Sequence, residues 1–276
     1  MRIRDIIERQ KGMERLEVVN IIALSLSISK EEVFMGLERE VGESDRLRIN
    51  GLFAERERGR PFAYIAKRKE FFSENFYVDE RVLIPRPETE TLVEEALELL
   101  AKKPEINSIL DMGTGSGAIG LILAKTTQKH VVCADISLDA LQVAQQNRKN
   151  LGVLDQAHFV CSDLFRGIGD VRFDLILANL PYIASEEWDS LMMDVKDYEP
   201  KRALDGGTRG TAIYKRFIDG LPHHLDKNGF VLCEIGGFTQ AKQIREMFQA
   251  IGLAIVTKND LSGDERVLIG SWTSLS

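Results

Sequence analysis

The run FDLILANLPYI ends in Asn179-Leu180-Pro181-Tyr182, and these four residues combine the types and spacing that chemistry needs. Asn179 offers a side-chain carbonyl. Leu180 offers a main-chain carbonyl, and Pro181 biases residue 180 towards an extended conformation. Two acceptors aimed at one point hold an NH₂ group, and Tyr182 can lie flat on the planar group that bears it. An amide or aniline-like nitrogen is a poor nucleophile because its lone pair is delocalised. Two accepted hydrogen bonds favour a pyramidal nitrogen whose lone pair faces an electrophile. Catalysis then rests on proximity and electrostatics, with no strong general base.

A second constellation lies upstream in SILDMGTGSGAIGLILA. An apolar run ends at Asp111, and Gly113-Thr114-Gly115-Ser116-Gly117 crowd a turn before a helical pattern. Glycines suit a sharp turn that a ligand must approach closely, and the helix start offers unpaired N–H groups. About twenty residues on, Asp135 ends the next apolar run, where a carboxylate accepts both hydroxyls of a ribose. Asp163 ends a third run, HFVCSDLF; there it can accept from an adenine amine, with Leu164 packing on the ring. Two ligands fit. Gly115, Gly117 and Gly120 satisfy the dinucleotide spacing of NAD sites. S-adenosylmethionine is the other: Asp111 suits the ammonium of its amino-acid tail, and its sulfonium activates a methyl group. Hydride transfer needs a placed proton donor or acceptor. His130, His158, His223 and His224 do not fall at the C-terminal ends of the strand-like runs, and no Tyr-x-x-x-Lys occurs.

These residues require a frame to bring them together. Strand-like runs at Ser108–Met112, Val131–Ile136, His158–Asp163, Phe173–Leu180 and Phe230–Ile235 alternate with helical patterns such as Leu138–Asn150 and Phe238–Ile251. Short apolar strands with helical spacers predict a parallel sheet covered on both faces. Ala254–Lys258 and Arg266–Trp272 leave no room for a helix between them and are expected to pair antiparallel. The expected fold is therefore α/β: a Rossmann-like class I methyltransferase sheet with an antiparallel C-terminal hairpin. Before it, apolar residues recur at three- and four-residue steps (Ile3, Ile6, Ile7; Leu16, Val19, Ile22), and Ser29 with Glu32 forms a capping-box signature, so a small N-terminal helical bundle is predicted. Phe71 to Leu83 read as two short extended segments. The expected division is 1–70 helical, 71–90 hairpin connector and 91–276 catalytic. Residues 1–70 carry a net charge of +2 and the remainder −9. An acidic catalytic region argues against binding nucleic acid by phosphate neutralisation. Cys133, Cys161 and Cys233 are too few and scattered for a disulfide framework or a zinc site. No secretory or membrane segment is evident, so a reduced, cytoplasmic setting is expected without a resident metal.

Eight segments carry a resemblance to a known family: GRPFAYIAKRKEFF, VLIPRPETETLVE, LDMGTGSGAIGLILA, ADISLDALQVAQQN, FDLILANLPYI, EPKRALDGGTRG, LCEIGGFTQ and DLSGDERVLIG; the run Ile84–Glu90 is much more specific than the glycine loop, which many methyltransferases share. Over about residues 59–272 the chain resembles the HemK/PrmC family, N5-glutamine methyltransferases of peptide chain release factors. The resemblance implies that Gly113–Gly117, Asp135, Leu164 and Asn179 contact S-adenosylmethionine, and that Asn179 through Tyr182 grip a glutamine amide. It implies class-1 release factors as partners, methylated on the glutamine of Gly-Gly-Gln. It also implies that Arg86 and Glu88 support the substrate wall and that Glu199-Pro200 orders a loop over it. The chain departs from the family at three places: Leu180 replaces the first proline of Asn-Pro-Pro-Tyr, Leu164 stands where some members have tryptophan, and Ala66 replaces a glycine. Asn-Leu-Pro-Tyr is also similar to the turn of ribosomal RNA adenine dimethyltransferases. Two alternatives follow: a nucleic-acid adenine N6-methyltransferase, and a non-catalytic module that binds a partner.

Overall fold

The computed structural model describes residues 1–236, 238–260 and 262–273. Gly237 of the LCEIGGFTQ segment and Leu261 of the DLSGDERVLIG segment lie outside the described residues. The chain forms two compact units, Met1–Arg68 with Met193–Tyr198, and Lys69–Met192 with Glu199–Ser276.

The first unit contains α1 (Ile3–Arg9), α2 (Arg15–Leu26), α3 (Lys30–Met35), α4 (Glu43–Glu57) and α5 (Phe62–Ala66). α2 is its centre: Val18, Val19, Ile21 and Ile22 are all fully buried, so it is apolar nearly all round. The capping box at the start of α3 is present, with the Ser29 hydroxyl accepting from the Glu32 N–H and the Glu32 carboxylate accepting from the Ser29 N–H. A distant segment, 193–198, also belongs here. The Tyr198 hydroxyl donates to the Arg58 carbonyl at 2.9 Å.

The second unit begins with a hairpin, β1 (Lys69–Phe71) and β2 (Glu74–Phe76), and continues through α6 (Thr89–Lys102), β3 (Ile109–Met112), α7 (Ala118–Thr127), β4 (Val131–Asp135), α8 (Leu138–Leu151), β5 (Ala157–Cys161) and β6 (Phe173–Ala178). After α9 (Met193–Tyr198), which sits in the first unit, come α10 (Ala212–His224), β7 (Leu225–Glu234), α11 (Phe238–Ala250), β8 (Leu253–Asn259) and β9 (Glu265–Trp272). The seven-stranded sheet has the order β5-β4-β3-β6-β7-β9-β8. The first five strands in that order are parallel, and β9 pairs antiparallel with both β7 and β8. This is the expected class I methyltransferase architecture. Every residue of β3 is buried, as a strand covered on both faces requires. The strand order reverses at β3 and β6, and the crevice beyond their C-terminal ends is where such sheets bind ligands. No helix among the described residues is long and apolar enough to cross a membrane.

Two local expectations need correction. The hairpin lies wholly within Lys69–Phe76, so Val82 and Leu83 are not its second strand. Val82 instead donates to the Asp79 carbonyl in a turn, and Pro85 and Pro87 further along cannot donate to a ladder. The strand expected from Phe230 starts at Leu225, which pairs with Phe173 across a register shift.

The turn after the hairpin is held by Asp79. Its carboxylate accepts from the Arg81 guanidinium at 2.7 and 2.9 Å and from the Tyr77 hydroxyl at 2.9 Å. Burial pushes its pKa up, but these bonds outweigh burial and hold it at about 2. A carboxyl with a lowered folded-state pKa adds stability that is present above its unfolded value, near 3.9, and vanishes as pH falls through the folded one. Asp79→Asn is therefore expected to cost about 2 kcal/mol at neutral pH, and the difference from wild type should shrink between about pH 4 and pH 2. Denaturant titrations across that range measure it.

Candidate active site

The glycine loop leaves β3 at Met112 and enters α7 at Ala118. Gly113, Gly115 and Gly117 all have left-handed φ, +76°, +55° and +86°. Only glycine adopts that conformation readily three times in five residues. A Cβ on Gly115 would meet only open space, apart from the Gly113 carbonyl at 4.0 Å. Gly120 has a different reason: a Cβ there would lie 2.5 Å from Cys133 Sγ, so the residue is glycine to let α7 lie on the sheet.

Asp111 is fully buried behind this loop. Its Oδ2 accepts from Thr114 Oγ1 at 2.5 Å and from the Gly120 N–H at 3.0 Å. Its Oδ1 has no partner among the described residues. A buried acceptor left unpaired costs about 1–3 kcal/mol, and the ammonium of an amino-acid ligand would satisfy it. Burial raises the carboxyl to about 6, against the opposing hydrogen bonds of Thr114 and Gly120. The charged form would attract such an ammonium and the protonated form would not. Affinity for S-adenosylmethionine should thus weaken as pH drops below about 6, by up to about tenfold per unit. Calorimetric titrations at several pH values test this, and Asp111→Asn should flatten the dependence.

Asp135, at the end of β4, is partly buried. Its Oδ2 accepts from the Gly115 N–H at 2.9 Å and its Oδ1 from the Ser137 N–H at 2.8 Å. Each oxygen keeps a second lone pair for a ribose hydroxyl. Burial raises its pKa. Thr114 and Ser116 are buried within the loop. Asp163 is held by two arginines. Arg216 binds its oxygens at 2.8 and 2.7 Å and Arg166 binds Oδ2 at 3.1 Å, which leaves Oδ1 a second lone pair. Leu164 beside it has φ +52° and packs on the sheet core.

The Asn179 turn meets the glycine loop because β3 and β6 are neighbours, with Met112 opposite Ala178. A Cβ on Gly113 would lie 3.0 Å from Leu180 Cδ2 and 3.5 Å from the Asn179 carbonyl oxygen. Asn179 Nδ2 donates to Glu234 Oε2 at 2.9 Å and to Thr89 Oγ1 at 3.1 Å. Both hydrogens of its NH₂ are thereby engaged, which leaves Oδ1 as the free acceptor. Neither Asn179 Oδ1 nor the Leu180 carbonyl accepts a hydrogen bond from any described residue. The Leu180 N–H, which a proline would lack, is 3.4 Å from the Tyr214 hydroxyl, a long hydrogen bond. That hydroxyl donates to the Glu234 carbonyl.

The rest of the turn is held by close backbone packing. A Cβ on Gly206 would lie 2.6 Å from the Pro181 carbonyl oxygen, and one on Gly236 would lie 2.5 Å from the Tyr182 ring. Gln240 Nε2 donates to the Tyr182 and Gly210 carbonyls at 2.6 Å each. Burial pushes the Tyr182 phenol up to about 12, so it stays neutral.

Comparison with known proteins places the chain in a family. The family described as "Methyltransferase small domain" matches residues 89–195. A release factor glutamine methyltransferase of Koribacter versatilis is 39% identical, over 93% of this chain and 90% of its own length. One of Geobacter sulfurreducens is 34% identical, over 95% of this chain and 91% of its own. This chain belongs to the release factor glutamine methyltransferase family. Among solved structures, human methyltransferase 10 domain containing protein shares the fold with a TM-score of 0.54 and 16% identity, over 80% of this chain and 98% of its own.

In this chain the Pro-Arg-Pro-Glu segment is braced from outside. Arg86 pairs with Glu199, whose other oxygen accepts from the Ile84 N–H at 3.1 Å. Glu199 is buried, and removing one partner of such a pair costs about 3–5 kcal/mol. The arrangement ties segment 84–86 to the Glu199-Pro200 loop and commits the Arg86 guanidinium to that task. Glu88 is exposed at the start of α6.

Sequence reasoning missed four polar residues. Buried Asn147 of α8 donates to the Ser116 carbonyl at 2.9 Å and the Tyr77 carbonyl at 3.0 Å, joining glycine loop to connector. Thr89, Glu234 and Gln240 hold the Asn179 turn. A carboxylate inside VLCEI was the one visible signal, since a charge in a buried strand needs a partner. Nothing in the sequence singled out Asn147, Thr89 or Gln240.

Proposed function

We propose that this chain methylates the side-chain amide nitrogen of the glutamine in the Gly-Gly-Gln motif of class-1 peptide chain release factors, with S-adenosylmethionine as donor. One observation carries the reading: a turn with two uncommitted carbonyl oxygens, Asn179 Oδ1 and Leu180 O, lies against a glycine loop backed by a buried carboxylate with an orphan oxygen. The residues fit the donor. Asp111 would hold its ammonium, Gly113–Gly117 its amino-acid tail, and Asp135 its ribose, with Leu164 beside the adenine. When bound, the donor supplies a methyl group on a positively charged sulfur. Asn179 Oδ1 and the Leu180 carbonyl each accept one N–H of the substrate amide and orient its nitrogen. They also stabilise the positive charge that develops there, and no base need act first. Tyr182 supports the amide plane, and Pro181 restricts the backbone of Leu180. Arg86 and Glu88 act through the wall. We assign this chemistry to residues 91–276, in the cytoplasm.

An adenine amine would also fit two acceptors, so the adenine N6 reading shares the turn. The net charge of −9 over residues 71–276 weighs against it, and direct nucleic-acid contact is not expected. A non-catalytic module would not retain both the glycine loop and Asn179. The test offers purified enzyme and labelled donor a release factor with Gly-Gly-Gln, the same factor with Gly-Gly-Ala, and RNA. One methyl per intact factor and none on the others is expected. Label on RNA alone would reverse the ranking.

A further inference from the structure

A primary amide has two ends that differ only by a half-turn about its Cβ–Cγ bond. The Asn179 side chain serves the reaction proposed above only if its oxygen, not its NH₂, meets the substrate. The surroundings decide which. Glu234 is the last residue of β7, beside β6, where Ala178 pairs with Cys233. It is 1% exposed, and its Oε2 lies 2.9 Å from Asn179 Nδ2. In the flipped orientation a carboxylate oxygen would face a carbonyl oxygen at about that separation, two acceptors with no proton between them. The strand end that carries Glu234 is fixed by its own main chain: its carbonyl accepts from Tyr214, and the Ile235 N–H donates to the Arg266 carbonyl at 2.9 Å.

We propose that Glu234 is a positioning residue, which accepts from the Asn179 NH₂ and so holds the Asn179 carbonyl towards the nitrogen to be methylated. The inference rests on the reading of Asn179 given above. Thr89 is the second brace, accepting the other hydrogen at 3.1 Å. A buried carboxylate is a demanding choice for a merely structural strand end, where an apolar side chain would pack without losing hydration. Burial is the main reason its pKa stands at about 7. Hydrogen bonding from Thr89 and Tyr182 and the charge of Arg266 on β9 favour the charged form, and Glu88 at the head of α6 opposes it. The Arg266 charge is shared with Asp260 at 2.9 Å.

The test compares Glu234→Leu, which removes the acceptor, with Glu234→Gln, whose carbonyl can still accept from Asn179. Methyl transfer to a Gly-Gly-Gln release factor, donor affinity and thermal stability are measured on the full chain, also in an Asn179→Ala background. Glu234→Leu should lower turnover about fiftyfold with donor affinity within about threefold of wild type, and Glu234→Gln should recover most of that loss. Wild-type turnover should fall on the acid side of about pH 7, and Glu234→Gln should lack that limb. Adding Glu234→Leu to Asn179→Ala should cost less than about twofold more. A Glu234→Leu enzyme within about threefold of wild type, beside an impaired Asn179→Ala, would overturn the role of Glu234 alone. Asn179→Ala at the wild-type rate would overturn both readings. If the leucine variant does not fold, the glutamine variant decides: an acid limb unchanged in it overturns the proposal.

Discussion

Asn179→Ala should lower methyl transfer by about a hundredfold or more, as removal of a preorganised transition-state hydrogen-bonding group does elsewhere. At room temperature that is about 2.7 kcal/mol of barrier. Donor affinity should change by no more than about threefold, because the glycine loop, Asp111 and Asp135, to which the proposal gives the donor, are held by hydrogen bonds that do not involve the Asn179 side chain. The loss should therefore appear in kcat at saturating donor. The substitution removes one of two acceptors and leaves the Leu180 carbonyl in place. It also strips a partner from buried Glu234, so a small fall in Tm should accompany it. Isothermal titration with the donor and single-turnover kinetics separate the terms. Unchanged turnover would remove Asn179 from the mechanism.

Gly210→Ala should be comparably damaging, although Gly210 touches no ligand in the reading above. Its φ is +67°, which costs an L-residue about 1–2 kcal/mol. The larger effect is steric. An added Cβ would overlap the Tyr182 carbonyl oxygen and lie 3.0 Å from its carbonyl carbon and 2.7 Å from Gln240 Nε2. Neither the Tyr182 backbone nor the Gln240 clamp can yield without moving the turn that carries Asn179 and Leu180. A displacement of about 1 Å at a reacting site costs about a hundredfold in rate. Turnover should fall by that order, with donor affinity much less affected. Gly152→Ala is the control. Its φ is +72°, but nothing lies within 4 Å of its Cβ position. It should lose only about 1–2 kcal/mol of stability and keep the wild-type rate per folded molecule. Equal turnover in the two variants would show that the packing of Gly210 on Tyr182 does not set the site.

Much of this site was legible in one dimension. The glycine loop, Asp111, Asp135 and the Asn179 turn are strand-end features, and their residue types report what the local backbone must do. Left-handed φ demands glycine at 113, 115 and 117, and a proline at 181 restricts its neighbour. The alternation of apolar runs with helical spacers determined a parallel sheet, and the short spacing before Arg266 determined its antiparallel end. Local rules were weaker where partners compete. Val82 and Leu83 have strand-forming side chains, yet the Asp79 carboxylate and two prolines turn that segment instead.

The hydrogen bonds between distant segments were decided only in three dimensions. Hydrogen bonds between Asn147 and Ser116, Glu199 and Ile84, and Glu234 and Asn179 join residues 31 to 115 positions apart. Such bonds leave no periodicity, because each depends on one register and one strand order. The glycines at 206, 210 and 236 make the same point. In the sequence they look like loop flexibility; in the fold they are the clearance that the Pro181 and Tyr182 backbone and ring require. The chemistry a residue can do was set by its type, but the partner of the Asn179 NH₂, a carboxylate at the end of the neighbouring strand, was decided only by the fold.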